Sequence, residues 1–154
     1  MKCNVPGDHL LLLILNHFNK IDMAKISAYL TFAGNCADAM AYYNTVFNGE
    51  IKIQTVKGSP METHFPQDVQ ENVLHASVST AQLEILGSDM VRSDGLTHGN
   101  SLILALICDN DEEQEALFSR LAEGGTINYP LHSFYEGRIG GVTDKFGVTW
   151  LVKK

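Results

Sequence analysis

Ile26-Ser-Ala-Tyr-Leu-Thr-Phe32 is an apolar, β-branched and aromatic stretch that runs into Gly34-Asn35, a helical pattern, and then Asn48-Gly49-Glu50-Ile51-Lys52. The same grammar returns at Ser101-Leu-Ile-Leu-Ala-Leu-Ile107, which runs into Asp109-Asn110, a second helical pattern, and Gly124-Gly125-Thr126-Ile127-Asn128. Asn35 and Asn110, and likewise Gly49 and Gly125, lie about 75 residues apart. A period that long is no solenoid unit. It is half of a domain, so two similar modules are expected to join sheets around one shared space, and a cleft between modules is a natural ligand site.

Working outward from these stretches, residues 26–33 read as a strand. Asn35 suits a helix N-cap, because its side chain can accept the unpaired N–H bonds of the first turn. Met40, Tyr43 and Phe47 recur at helical spacing, so 36–47 is an amphipathic helix, and Gly49 is expected to supply the left-handed residue at its end. Glu50–Val56 follows as a strand. Residues 57–72 hold Gly58, Pro60 and Pro66 and read as a long loop. Val73–Ser79 and Gln82–Gly87 form a hairpin turning near Thr80-Ala81, and Ser88–Gly99 is the polar linker.

In the second half, Ser101–Cys108 reads as a strand. Asn110 with Glu113 three residues on resembles a capping box. Leu117, Phe118 and Leu121 make the buried stripe of the next helix, which Gly124-Gly125 ends. Thr126–Tyr129 is expected to be a strand that stops at Pro130. Phe134–Thr143 and Gly147–Val152 form a last hairpin, with Phe146 as a core plug. Each module is therefore β-α-β-β-β, over residues 25–88 and 100–153 of a single domain spanning 23–154.

The net charge of −7, with no basic stripe, argues against a nucleic-acid partner, which needs clustered Lys and Arg. Cys3, Cys36 and Cys108 are odd in number and lack C-x-x-C spacing, which suits a reducing cytoplasm. Leu10–Leu15 is an apolar run far below the ~18–20 residues needed to span a membrane, and no small-residue cleavage site follows it. Residues 1–22 are read as an appendage before Met23, from an upstream start codon or an extension. The alternative is an interface segment packing Leu10–Leu15 on a partner chain.

Several stretches together resemble the vicinal-oxygen-chelate superfamily (glyoxalase, bleomycin resistance, dioxygenase), in its PhnB-like branch. They are Tyr29-Leu-Thr-Phe-Ala-Gly-Asn-Cys-Ala-Asp-Ala-Met40, Tyr42-Tyr43, Phe47-Asn-Gly-Glu50, His75-Ala76, Leu86-Gly-Ser-Asp89 and Thr143-Asp-Lys-Phe-Gly-Val-Thr-Trp150. The resemblance implies an α+β fold of two βαβββ modules with a curled mixed sheet around a cavity. It implies a homodimer, often with strands or modules exchanged between chains. Enzymes of this kind hold a divalent metal on four strand side chains, where it stabilises oxyanion charge as a Lewis acid. Some relatives carry a methyltransferase label, but this chain shows no Gly-rich strand-to-helix loop suited to an adenosyl cofactor.

The resemblance places the usual metal-ligand positions at Ala28, Ile103, Leu151 and near Glu84. Three of these side chains cannot bind a metal. No metal is therefore expected at that site, although a divalent ion recruited by histidines remains an alternative. The catalytic candidates are Glu84 and His75. His75 opens a strand and could be an acid or base near neutral pH, or a hydrogen-bonded strand histidine. Glu84, flanked by Leu83 and Ile85, either faces the cavity, where burial would raise its pKa, or faces water. His132 is a candidate for the cavity mouth, and His64 and His98 are read as solvated.

The ligand-binding candidates are Leu30, Phe32, Phe134, Tyr135, Arg138 and Leu151. Ala28, Leu30 and Phe32 share strand parity, so Phe32 faces the cavity if Ala28 does. Arg138 could clamp an anion or be a surface arginine. Cys36, at a helix start, reads as a reactive thiol or, more simply, as a small buried residue. Trp150 is expected under a helix. The reading is a small-molecule-binding protein with an apolar, aromatic cavity. The alternative is a lyase, isomerase or transferase-type enzyme of the same fold acting through Glu84, His75 or a non-standard metal site.

Overall fold

The computed structural model describes residues 25–154. Module one runs β1 (Ala28–Thr31), α1 (Cys36–Phe47), β2 (Glu50–Thr55), β3 (Val73–Ser79) and β4 (Glu84–Ser88). Module two repeats it as β5 (Leu104–Ile107), α2 (Asp111–Ala122), β6 (Thr126–Ser133), β7 (Arg138–Thr143) and β8 (Thr149–Lys153). The sheets have orders β1-β4-β3-β2 and β5-β8-β7-β6. In each, the first strand pairs parallel with the last and the other pairs are antiparallel. The βαβββ repeat is thus present twice. The two sheets remain separate, however, and do not close around one cavity within the chain.

One buried cluster joins the modules through their helix-bearing sides. It includes Met40, Tyr43 and Ile85 from module one and Phe118, Leu121 and Trp150 from module two. The Tyr42 hydroxyl donates to the Arg120 and Leu121 carbonyls at the end of α2, and Arg120 Nη1 donates to the Val46 carbonyl of α1. Asp144, buried in the β7–β8 turn, accepts from Tyr43 Oη across the module boundary and from Trp150 Nε1, at 2.9 and 2.8 Å. Trp150 lies under the helices, as its parity predicts. Because the modules meet helix side to helix side, the opposite face of each sheet is left uncovered.

The helix ends differ from expectation in instructive ways. Asn35 makes no side-chain cap; Asp89, from beyond β4, accepts the Gly34 and Cys36 N–H groups instead, and the Val73 N–H with its other oxygen. A buried carboxylate satisfies more donors than an amide oxygen could, and its charge suits a helix N-terminus. At the other end Asn48, not Gly49, takes the left-handed conformation (φ 51°), which Asn tolerates. Gly49 is required for a different reason: a Cβ there would lie 2.7 Å from the Ser79 carbonyl oxygen. The α2 start meets the expected capping box in part: Asn110 accepts from the Glu113 N–H, but Glu113 Oε2 accepts from the Asp109 N–H, one residue before the cap.

Strand β6 does not stop at Pro130 but continues to Ser133. It is the edge of its sheet, where a missing N–H is tolerated, and its register shifts between Tyr129 and His132. Strand β5 is shorter than the 101–108 stretch suggests. Residues 57–72 are an organised loop with two short 3₁₀ turns, Glu62–His64 and Gln67–Val69. The Gln70 amide knits them by donating to the carbonyls of Glu62, Phe65 and Pro66.

Candidate functional site: the uncovered sheet faces

Residues paired across neighbouring strands point to the same face of a sheet. In module one Ala28 pairs with Ile85 and Leu30 with Gly87, and a Cβ on Gly87 would touch Met40, Cys36 and Phe32. Ala28, Leu30 and Phe32 therefore face the helix side. The uncovered face carries Tyr29 and Leu86, with Ser77 opposite Leu86, Glu84 opposite Ser79, and His75 opposite Gln54. The Tyr29 and His75 rings lie 5.9 Å apart, and both side chains are exposed.

In module two Trp150 and Val152 are buried on the helix side, so Leu151 and, opposite it, Ala105 and Gly141 share the uncovered face. Tyr129 pairs with Gly141 and covers it: a Cβ on Gly141 would lie 2.4 Å from that ring. His132 stands between Tyr129 and Phe134, with ring centroids 5.9 and 6.4 Å away. Its Nδ1 lies 2.8 Å from the Pro130 carbonyl. An aromatic row thus runs along the edge of this face.

The two catalytic candidates share one face, in different states. Glu84 is held by the Ser27 hydroxyl and by Lys25 Nζ at 3.1 Å. These contacts, the hydrogen bond from Ser27 first, pull its carboxyl below the usual carboxylate range. The rise expected from burial is absent because Glu84 is only partly covered and paired. As an ionised, occupied carboxylate it is a poor proton donor near neutrality. His75 is free of such partners among the described residues and stands next to the Tyr29 phenol.

The ligand-binding candidates scatter. Phe32 is 2% exposed and packs edge-on against Phe146 at 6.4 Å, in the core. Leu30 and Phe32 line a cleft of about 220 Å³ under the linker, together with His98. His98 is exposed, with its ring close to Gly147, where an added Cβ would lie 2.8 Å from it. Leu151 is on the uncovered face of sheet two. Phe134 and Tyr135 are exposed on the β6–β7 turn, where Tyr135 takes a positive φ of 40°. Arg138 points to the helix side, where its Nη1 donates to Glu115 at 2.7 Å, so it is neither a clamp on that face nor a free surface charge. The Cys36 thiol is fully buried and pushed up to about 12 by burial and by the nearby Asp89 charge, which makes it unreactive. Tyr29, the residue that meets His75, was missed because parity was counted from Ala28. His9, His17, Cys3 and the Leu10–Leu15 run lie outside the described residues.

Metal binding can be tested on these donors. Among the described residues no three His, Cys, Asp or Glu side chains converge. Of the positions the resemblance named, Glu84 is already engaged, Ala28 lies on the helix side of its sheet, and Ile103 and Leu151 offer no donor atom. The described residues do not fit a divalent ion held within one chain.

Comparison with known proteins places the chain. Residues 24–153 match the family described as 3-demethylubiquinone-9 3-methyltransferase. The chain is 33% identical to Protein YjdN of Escherichia coli (strain K12) over 138 residues, 82% of this chain and 92% of that protein. Its structure is similar to that of PA1353 from Pseudomonas aeruginosa, with a TM-score of 0.71 and 29% identity over 85% of this chain and 97% of the other. It is also similar to the PhnB protein from Bacillus cereus, with a TM-score of 0.63 and 26% identity over 84% and 98% of the two chains. More distant glyoxalase/bleomycin resistance superfamily structures share the fold alone.

The methyl transfer in the family description finds no matching cofactor site among the described residues. The N–H groups at the β1–α1 turn, where an adenosyl cofactor's carboxylate could be held, are spent on Asp89, and those opening α2 on Asn110 and Glu113. With its repeated βαβββ sheets, which share the fold of glyoxalase/bleomycin resistance proteins, and a family match from residue 24 to residue 153, the chain belongs to the 3-demethylubiquinone-9 3-methyltransferase family.

Proposed function

We propose that this protein binds a small organic molecule against the uncovered sheet faces, without a metal at the usual position, and that a second copy of the chain covers those faces. The observation that carries the reading is the side-chain content of the faces. Tyr29 is 53% exposed and Ile107 71%, and Tyr129, Phe134 and Leu151 add further apolar surface. Apolar patches of this kind, rimmed by polar residues, mark binding surfaces. A single chain has no walls around them, because its sheets do not close. Placing module one of one copy against module two of another would supply the missing wall and bring Tyr29 and His75 opposite the Tyr129–His132–Phe134 row. The ligand expected there is flat and mostly apolar, with a polar group within reach of His75.

Native mass spectrometry of protein purified without added metal or chelator tests this. A dimer, bare or carrying an organic adduct, is the expected result. A monomer, or one metal per chain, contradicts it. The enzymatic alternative is favoured by one contact, the His75–Tyr29 pair, which could pass a proton to or from a bound molecule. It predicts turnover that His75→Gln abolishes while the dimer persists. We place the protein in the cytoplasm. The free Cys36 and Cys108 thiols support that placement.

A further inference from the structure

The two modules fill equivalent spaces differently. Beside α1, the β7–β8 turn of module two inserts Phe146, whose ring lies 5.5 Å from Tyr42 and 6.2 Å from Tyr43. The β3–β4 turn of module one is its counterpart, since the Thr80 N–H bonds to the Leu83 carbonyl as the Asp144 N–H bonds to that of Val148. It carries Ala81-Gln82 where the other carries Lys145-Phe146. Among the described residues no ring enters the space beside α2, and a groove of about 520 Å³ remains. Its floor is apolar, with Val46 and Phe47 from α1, Leu83 from the turn, Leu106 from β5 and Leu117 from α2. Both modules line it, so whatever fills it also ties them together.

The described chain begins at the mouth of a seam that leads into this groove. Lys25 and Ile26 line the seam, which measures about 200 Å³ and shares Gln82, Leu83 and Leu106 with the groove. Lys25 is tied there by its 3.1 Å contact with Glu84, and Ile26 beside it is 97% exposed. Upstream stands Leu10–Leu15, six apolar residues in a row. A run of that kind left in water is a liability, so a surface that covers it is expected. Residues 16–24, nine in number, separate it from Lys25 and span up to about 30 Å when extended. The groove lies along α2, whose 12 residues rise about 18 Å, so the run can reach its length. At about 150 Å³ for a benzene-sized group, the groove holds roughly three such groups, half of the side chains in the run.

We propose that Leu10–Leu15 docks in this groove of its own chain and straps module one to module two on the helix side. It does there what Phe146 does beside α1, supplying the apolar filling that the short β3–β4 turn lacks. The inference does not rest on the ligand proposed for the uncovered faces. Ile107 belongs both to the groove and to one of those faces, so the readouts avoid it.

The test puts a nitroxide spin label on Asn16→Cys in the isotope-labelled full-length protein carrying Cys3→Ser. Cys36 and Cys108 are buried, with thiols raised by that burial, so the label goes to the new cysteine. The amides of Val46, Phe47, Leu83 and Leu117 are expected to broaden, while those of His75 and His132 stay sharp. Leu11→Asp with Leu13→Asp should abolish the broadening and lower the melting temperature by several degrees. Ala116→Trp, which fills the groove from an exposed position, should abolish the broadening too. Broadening centred on His75 and His132, broadening that survives the paired Asp changes, or none at all would each overturn the proposal. So would broadening of an isotope-labelled chain by a spin-labelled partner, or native protein whose mass begins at Met23.

Discussion

Asp144 is 3% exposed and accepts from Tyr43 Oη, Trp150 Nε1 and the Phe146 and Val148 N–H groups. It therefore ties α1 of one module to a turn and a strand of the other. Tyr43→Phe removes one hydrogen bond to a charged acceptor and should cost about 1.5–3 kcal/mol in urea unfolding. Phe32, read from parity as a cavity wall, is a core residue, so Phe32→Ala should cost about 3–5 kcal/mol through the cavity it leaves. Ligand binding cannot be read on that variant, and Tyr29→Ala is the informative change. For Cys36 the sign is set by its raised folded value. The unfolded thiol ionises near its ordinary pKa of 9 while the folded one stays protonated to about 12. Stability from this group is thus complete below about pH 9 and lost as pH rises from 9 towards 12. Tyr42, also pushed up to about 12 by burial first, loses stability in the same direction over 10 to 12. Unfolding measured from pH 8 to 11 should show a monotonic fall, and native protein at pH 8 should leave Cys36 unalkylated.

The elements were largely legible, since the two helices, the hairpins and the βαβββ order follow from local patterns. The misreadings sit at element ends, where a distant group decides. Asp89 caps α1 from beyond β4, a contact between residues 53 apart that no local pattern announces. Pro130 was read as a strand stop because its neighbourhood cannot say that β6 is an edge. The glycine pair after α2 also has two separate jobs. Gly124 takes a positive φ of 73°, and a Cβ on Gly125 would lie 2.4 Å from the Thr143 carbonyl oxygen. Because backbone cannot retreat as a flexible side chain can, Gly125→Ala should lower stability by about 1–3 kcal/mol. A thermal melt that matches wild type would show that the β6–β7 pairing shifts to make room.

At the scale of the molecule, the proposed dimer has the uncovered faces as its interface. Ile107→Glu together with Tyr129→Glu should yield monomers by light scattering at a melting temperature within a few degrees of wild type, since both side chains are solvent-accessible in the single chain. A dimer that survives both changes would put the interface elsewhere. Sequence by itself determined the repeat and the α+β class, because both are written in local pattern and spacing, and its resemblance to known motifs pointed to the family. Only the tertiary structure decided which side of each strand is uncovered, that Arg138 pairs with Glu115, that Glu84 is held ionised by Lys25 and Ser27, and that the sheets stay apart. Those outcomes depend on which surfaces of two modules pack together. Strand alternation is symmetric between its two faces, so the choice belongs to contacts between residues far apart in the chain.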